Sequence, residues 1–265
     1  MSQRAADLRD QLGKRHYVLE ALSDGPQTKP ELVEAVDKSR STIDRAITAF
    51  RNHDCVEPAG KGRYRLTKTG TTALSVCSDY VARTSALSDA TALINDSELD
   101  IGVGFLDGID VSVADPLVPE LALEPSTQIV SDASQLRGLA AAMLGSYPEI
   151  LLEGVREKGL AVEIVTTHQL ARSALELKPQ AVSTLLSYDR VEMRITDQPV
   201  PESLWIATTP EKTHAGITVH ADSGVKGVMI NSTPAAVTWA ERTYSTFRET
   251  SEPLADSVVE RVVDR

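Results

Sequence analysis

Ser39, Arg40, Ser41, Thr42, Arg45 and Arg51 crowd one short stretch, and Lys61 and Arg63 follow it closely. Guanidinium groups and hydroxyls in that density suit one chemistry above others, which is the reading of a polyanion. Arginine pairs with guanine edges in the major groove of duplex DNA, and hydroxyls and lysines hold phosphate oxygens. Between residues 38 and 68 there are eight Lys and Arg against three Asp and Glu, although the whole chain carries a net charge of −11. Residues 1–70 hold thirteen bases and ten acids, and the remainder holds fourteen and twenty-eight. A chain that is acidic overall and basic in one motif concentrates positive charge where a polyanion docks. The competing reading is an ordinary solvated helix face.

A second group, Thr166, Thr167 and His168, falls between an apolar run and a helical pattern. A strand-to-helix turn leaves free backbone N–H groups that receive polar or anionic ligands. Thr167 also suits the simpler role of helix cap. Other candidates carry less. His16 and His53 lack the neighbouring Cys or His that a metal site requires. Asp107, Asp110 and Asp115 are spaced acids of a kind expected by chance in so acidic a chain. Gly102 and Gly104 lack the third glycine of a dinucleotide loop, and neither a phosphate-binding GxxxxGK[ST] loop nor a GxSxG elbow occurs. No catalytic residue, cofactor or metal site is therefore assigned. Cys55 and Cys77 fit a reducing, cytoplasmic setting better than a disulfide scaffold. Cys77 has no basic neighbour to make it a thiolate redox sensor.

The elements that must position the basic cluster are legible around it. Residues 7–23 read as a helix closed by Ser23-Asp24-Gly25-Pro26. Thr28 caps a second helix, with Pro30 near its start and Glu31 placed for a capping box. Ser39 or Ser41 caps a third, running to about Asn52, in which Ile43, Ala46, Ile47 and Phe50 form one apolar stripe. Burying that stripe turns the arginines and hydroxyls outward. Cys55–Glu57, a Pro58–Gly62 turn and Arg63–Thr67 then read as a hairpin with Lys61 at its tip. Gly70 to Asn95 reads as a longer helix with a stripe of Leu74, Cys77, Tyr80 and Val81, packing on its own domain or, as favoured here, on a second copy.

The remaining 98–265 alternate between strand and helix patterns. Strands are expected at 98–105, 127–132, 160–167, 189–196, 203–209, 212–220 and 225–231, and 108–114 reads as a strand or part of a loop. Helices are expected at 134–147, 148–159, 168–178, 179–188 and 233–255, and residues 258–263 close the chain. This pattern implies an α/β sheet with an antiparallel extension. Trp205 and Trp239 read as core or interface residues, and Arg172 and Arg194 as partners of nearby carboxylates. At 265 residues the chain is long enough for two domains, and with no long apolar run no membrane span is expected.

SRSTIDRAI followed by GRYRLTKTG resembles the winged helix-turn-helix domain of archaeal transcriptional regulators, especially those of salt-loving archaea. The resemblance implies a recognition helix carrying Ser39, Arg40, Ser41, Thr42 and Arg45, and a wing of Gly60, Lys61, Gly62 and Arg63. DQPVPESLWIATTPEK, with VHADSGVKGVMINSTPAAVTWAERTYSTFRETSEP, is similar to the effector domain beside winged helices in haloarchaeal and methanogen regulators. That domain is compared in turn with a non-catalytic phospholipase-D-like fold. Catalysis of that type uses a histidine followed two residues on by lysine, and none of His168, His214 and His220 has it. The acid excess and the preference for Arg over Lys, 18 to 9, fit a halophile.

The expected fold is thus an N-terminal winged helix-turn-helix (1–70), a linker or dimerisation helix (71–97) and an α/β sensor domain with a mixed sheet (98–265). The expected function is sequence-specific DNA-binding regulation by a cytoplasmic homodimer. Double-stranded DNA is the partner, a small molecule is a possible effector, and no membrane is involved. The alternatives are a protein-interaction scaffold and a DNA-targeted hydrolase.

Overall fold

The computed structural model describes residues 2–115, 117–221 and 224–254. They divide into two units, residues 1–84 and 85–265.

In the first unit, α1 (Gln3–Ser23) is capped by Ser2. A short β1 (Gln27–Thr28) leads into α2 (Lys29–Val36), and α3 (Arg40–Asn52) follows. The Thr28 hydroxyl accepts from Glu31 N, and the Glu31 carboxylate accepts from Thr28 N at 2.7 Å, so the capping box closes in both directions. Asp37 adopts a left-handed conformation (φ 50°) that ends α2, and Ser39 then caps α3. Ile43, Ala46, Ile47 and Phe50 are all buried, against Val18, Leu19 and Leu22 of α1 and Leu32 of α2. β2 (Val56–Gly60) and β3 (Arg63–Leu66) form an antiparallel hairpin, and β1 pairs on the outer edge of β3. Gly60 faces Arg63 across a two-residue Lys61-Gly62 turn. Both turn residues have positive φ, 50° and 72°, the tight geometry that matches strand twist. The helix α4 (Lys68–Asp96) gives Ala73 to this core and Ala90 and Leu93 to the core of the second unit.

In the second unit, α5 (Val103–Leu106) and β4 (Asp110–Val113) come first. After a 3-10 turn (Pro119–Leu123) come α6 (Glu124–Ser131), β5 (Gln135–Ala140) and α7 (Tyr147–Glu153), which continues as a π turn to Lys158. The order continues with β6 (Ala161–Thr167), α8 (His168–Leu177), α9 (Pro179–Leu186), β7 (Val191–Thr196), β8 (Ser203–Thr208), β9 (Thr213–Ala221), β10 (Gly224–Asn231), α10 (Pro234–Glu249) and β11 (Glu252–Pro253). They form one mixed eight-stranded sheet in the order β11-β7-β6-β5-β8-β9-β10-β4. β5, β6 and β7 run parallel, and every other pair is antiparallel. Leu139, Val165, Leu204 and Ile217 pack on one face with α10, and Leu136, Val162, Trp205 and Ala207 pack on the other with residues of α6, α7 and α9.

The mixed α/β architecture agrees with the sequence reading, but four elements differ from it. Residues 127–132 belong to helix α6, because Pro125 starts a helix that buries Val130. Residues 135–140, read as helix from their Leu and Ala content, are strand β5. Gly138 passes so close to β8 that an added Cβ would lie 2.4 Å from the Leu204 carbonyl oxygen. A central strand buried on both faces overrides helix propensity. The expected strand 98–105 is irregular chain ending in α5, and the last long helix stops at Glu249 with β11 beyond it. The segment 258–263 lies outside the described residues.

Candidate functional site

The apolar stripe of α3 fixes the rest of the helix. Opposite that stripe, Ser41, Arg45, Thr48 and Asn52 are exposed in a single line at spacings of four, three and four residues. Arg40 and Arg51 lie about a quarter turn away on one flank and are also exposed. None of the three guanidinium groups makes an ion pair among the described residues. Ser39 serves as the cap, its Oγ accepting from Thr42 N at 3.2 Å and lying 3.0 Å from Ser41 Oγ and 2.8 Å from Thr42 Oγ1. Its hydroxyl is therefore structural first. The one acid inside the helix, Asp44, is paired with Lys29 of α2 at 2.6 Å, which holds its carboxyl below the usual range. That ion pair draws the acid toward α2 and leaves the arginines the dominant charges of the outward face. Thr48 and Asn52 were missed in the sequence, although the 3.6-residue period places them beside Ser41 and Arg45.

Along the hairpin the two predicted cations differ. Lys61 is exposed at the tip and makes no ion pair among the described residues. Arg63 is committed to the fold. Its Nη1 donates to the Pro26 carbonyl at 2.7 Å and its Nη2 to Glu31 at 3.0 Å, tying β3 to the start of α2. Arg65 likewise pairs with Glu57 at 2.8 Å. The available cationic set is therefore Arg40, Arg45, Arg51 and Lys61, with Arg63 as a brace.

Cys55 is fully buried, and Cys77 is nearly so. Burial pushes both thiols up, which opposes thiolate formation at neutral pH. On the part of α4 in the first unit, Val76 and Tyr80 are 60 and 68% exposed and, four residues apart, share one face. Of the stripe read on this helix, Cys77 is buried, whereas Tyr80 and Val81 are exposed.

In the second unit, Thr166, Thr167 and His168 stand at the end of β6 but do not converge. Thr166 is buried and donates to the Ala140 carbonyl at 2.9 Å. Thr167 caps α8 through Leu170 N, and His168 is exposed. Arg194 is bound to Glu192 and to Ser251, whereas Arg172 is exposed without an ion pair among the described residues. Asp115 is used by the Leu117 backbone N–H at 2.7 Å. Among the described residues no three of His, Cys, Asp and Glu are grouped to hold a metal ion. One arrangement the sequence did not reveal is Ser203 Oγ at 2.8 Å from His220 Nε2, brought together by antiparallel β8 and β9. Among the described residues no carboxylate hydrogen-bonds the other ring nitrogen. The neighbouring Glu202 accepts from the His220 backbone instead, so the orienting group of a nucleophilic triad is lacking.

Two family matches cover most of the chain. Residues 119–250 match the middle domain of the methanogenesis regulatory protein FilR1, and residues 4–88 match the HVO_A0261 N-terminal domain. No curated protein matches the chain. Among solved structures, TrmBL2, an archaeal chromatin protein with a novel mode of DNA binding, aligns over 90% of this chain and 92% of its own at 12% identity and a TM-score of 0.43. NucT from Helicobacter pylori aligns over 55% of this chain and 98% of its own, at 11% identity and 0.42. Nuc from Salmonella typhimurium, a phospholipase D family member, aligns over 56% and 97%, at 11% identity and 0.41. Nearly all of the helical, hairpin-bearing first unit thus falls within the HVO_A0261 match, and most of the mixed sheet falls within the match to the FilR1 middle domain.

Proposed function

We propose that the chain is a sequence-specific DNA-binding transcriptional regulator, with α3 as recognition helix and the β2–β3 hairpin as wing. The reading is carried by the exposed line Ser41, Arg45, Thr48 and Asn52, flanked by Arg40 and Arg51, on a chain of net charge −11. Arg45, on the crown of the helix, reads base edges. Arg40, Arg51 and Lys61 hold phosphates. The match of residues 119–250 to a regulatory protein's middle domain supports a regulatory role for the second unit. In this reading it acts without catalysis and senses a small molecule.

The regulator acts as a homodimer that seats two recognition helices on a palindrome. The exposed Val76 and Tyr80 face of α4 supports a partner helix there. The excess of carboxylates supports work in high salt inside a halophile's cell, where base contacts outlast phosphate contacts.

Genomic fragments selected on the wild-type chain in molar potassium chloride provide the test. Arg45→Ala is expected to lose about tenfold or more in affinity for a selected fragment by fluorescence anisotropy, as one bidentate base contact implies. Arg172→Ala is the control, since Arg172 is exposed on the second unit and makes no ion pair among the described residues. Arg248 would be a poor control, because its guanidinium is bound to Glu163. Equal losses in the two variants would sink the recognition-helix assignment.

A further inference from the structure

The eight-stranded sheet has two outer edges, and they are finished differently. At one, β11 presents Glu252 and Pro253, both exposed. A charge, and a proline with no N–H to donate, keep an edge strand from pairing further. At the other lies β4, and no strand flanks its outer side among the described residues. β4 holds no proline and no lysine, and its one charge, Asp110, stands at its first position.

Register fixes which backbone groups of β4 point outward. β4 pairs antiparallel with β10, Val113 opposite Gly227 and Val111 opposite Met229. Just past the strand, Ala114 N donates to the Lys226 carbonyl at 2.8 Å. Backbone groups alternate in direction along such a strand. Ala114, Ser112 and Asp110 therefore turn toward β10, and the N–H and C=O groups of Val111 and Val113 turn away from the sheet. Among the described residues no backbone bond outside the ladder reaches them. Apolar surface gathers beside this edge. Val113, Leu117, Val118 and Leu121 are 58, 90, 47 and 52% exposed. Val118 is bridged to Asp115 just after β4, and the 3-10 turn holding Leu121 packs on β10 and β4.

We propose that β4 pairs with β4 of a second copy, antiparallel about a two-fold axis at Ser112, joining the two sheets into one. Val111 and Val113 lie one residue to either side of Ser112. A two-fold axis there sets Val111 of each copy opposite Val113 of the other, so the outward N–H and C=O groups of one meet those of its mate. The exposed Val113 gains half-buried Val111 as a cross-strand neighbour, and Asp110 faces Ala114 rather than another acid. A four-residue ladder alone is smaller than the roughly 800 Å² per partner of a stable dimer. Leu117, Val118 and Leu121 beside it extend the contact. The proposal rests on the homodimer reading and names a joining surface in the second unit.

The register provides the test. Across the axis the two Ser112 residues form a non-hydrogen-bonded pair with Cα atoms about 4.5 Å apart, within reach of a disulfide. Asp110 lies on the same face of the strand and is exposed, yet its mate is displaced by four residues, about 14 Å along the strands. The purified full chain is oxidised with copper phenanthroline in molar potassium chloride and run on a non-reducing gel. Ser112→Cys is expected to give a bridged dimer, and Asp110→Cys and the wild type, whose own Cys55 and Cys77 are buried, are not. Val113→Lys is expected to raise the dimer dissociation constant about tenfold in sedimentation, since two cross-strand valine pairs are lost. The proposal is overturned if Ser112→Cys stays monomeric, if Asp110→Cys bridges as fast, or if Val113→Lys associates like wild type. Should Ser112→Cys fail to fold by circular dichroism, Val113→Lys decides. Ser112→Cys is also oxidised in the Tyr80→Glu background, and DNA affinity is measured on each preparation. A bridge formed there without DNA affinity removes the regulator reading and leaves the edge contact, whereas DNA affinity without a bridge removes the edge contact alone.

Discussion

Arg45 and Arg63 are both exposed arginines in the basic stretch, and the sequence gives no means of separating them. Only the fold shows that Arg63 is already bound to Pro26 and Glu31, residues 37 and 32 positions away, while Arg45 has no such partner. Free charge is thus a tertiary property, and the outward direction of Arg45 follows from local periodicity alone. Arg63→Ala is accordingly read as a loss of bracing between hairpin and helix before any loss of phosphate contact. A second consequence at this scale concerns pH. Burial holds the His220 imidazole below its ordinary 6.5, and burial likewise lowers His214. A histidine depressed in the folded state contributes stability that is present above pH 6.5 and lost as pH falls through the folded value. Glu202, raised by burial, has the opposite slope, losing its contribution as pH rises above 4.5. His220→Gln is expected to flatten the part of the urea-midpoint profile that rises toward pH 6.5, leaving the His214 share. An unchanged profile would remove His220 as a source of that slope.

Among the elements, the first unit was readable because each helix carries its own boundary signal. Thr28, Pro30 and Glu31 are a capping box in the sequence and a capping box in the structure. Thr28→Ala is expected to cost about 1 kcal/mol in chemical unfolding of this unit, the usual worth of such a cap. A change near zero would mean that Glu31 and Arg63 hold α2 without it. The second unit was less readable around β5. Leu-Ala-rich residues 134–147 carry helix propensity, and the β-branched pair Ile129-Val130 carries strand propensity, yet the structure exchanges the two. Residues that satisfy a two-sided core need not alternate, so periodicity gave no warning at β5. The fold class was still correct, because exchanging one helix with one strand preserves the alternation behind it.

Taken whole, the chain divides its charge unevenly, with +3 over residues 1–70 and −14 over the remainder. On the proposed reading, that asymmetry favours encounter of duplex DNA with the first seventy residues over the acidic remainder. Two copies joined along α4 would double the cationic area without adding a basic residue. Tyr80→Glu places a carboxylate beside Val76 on the exposed face of α4. It is expected to shift sedimentation toward the monomer and to weaken binding to a two-half-site fragment more than to a single half-site. A variant that sediments as wild type would remove α4 as the joining surface.

Lys61 holds φ at 50°, a left-handed conformation that a lysine tolerates poorly and an asparagine tolerates well. The hairpin tip thus bears a side chain that its own backbone disfavours. Lys61→Asn should relieve that local penalty and raise the melting temperature slightly, while it loosens the hold on DNA and makes the dependence of binding on salt shallower. Thermal robustness and grip would then move in opposite directions at a single position, the signature of a residue kept for contact at some cost to the hairpin's own stability.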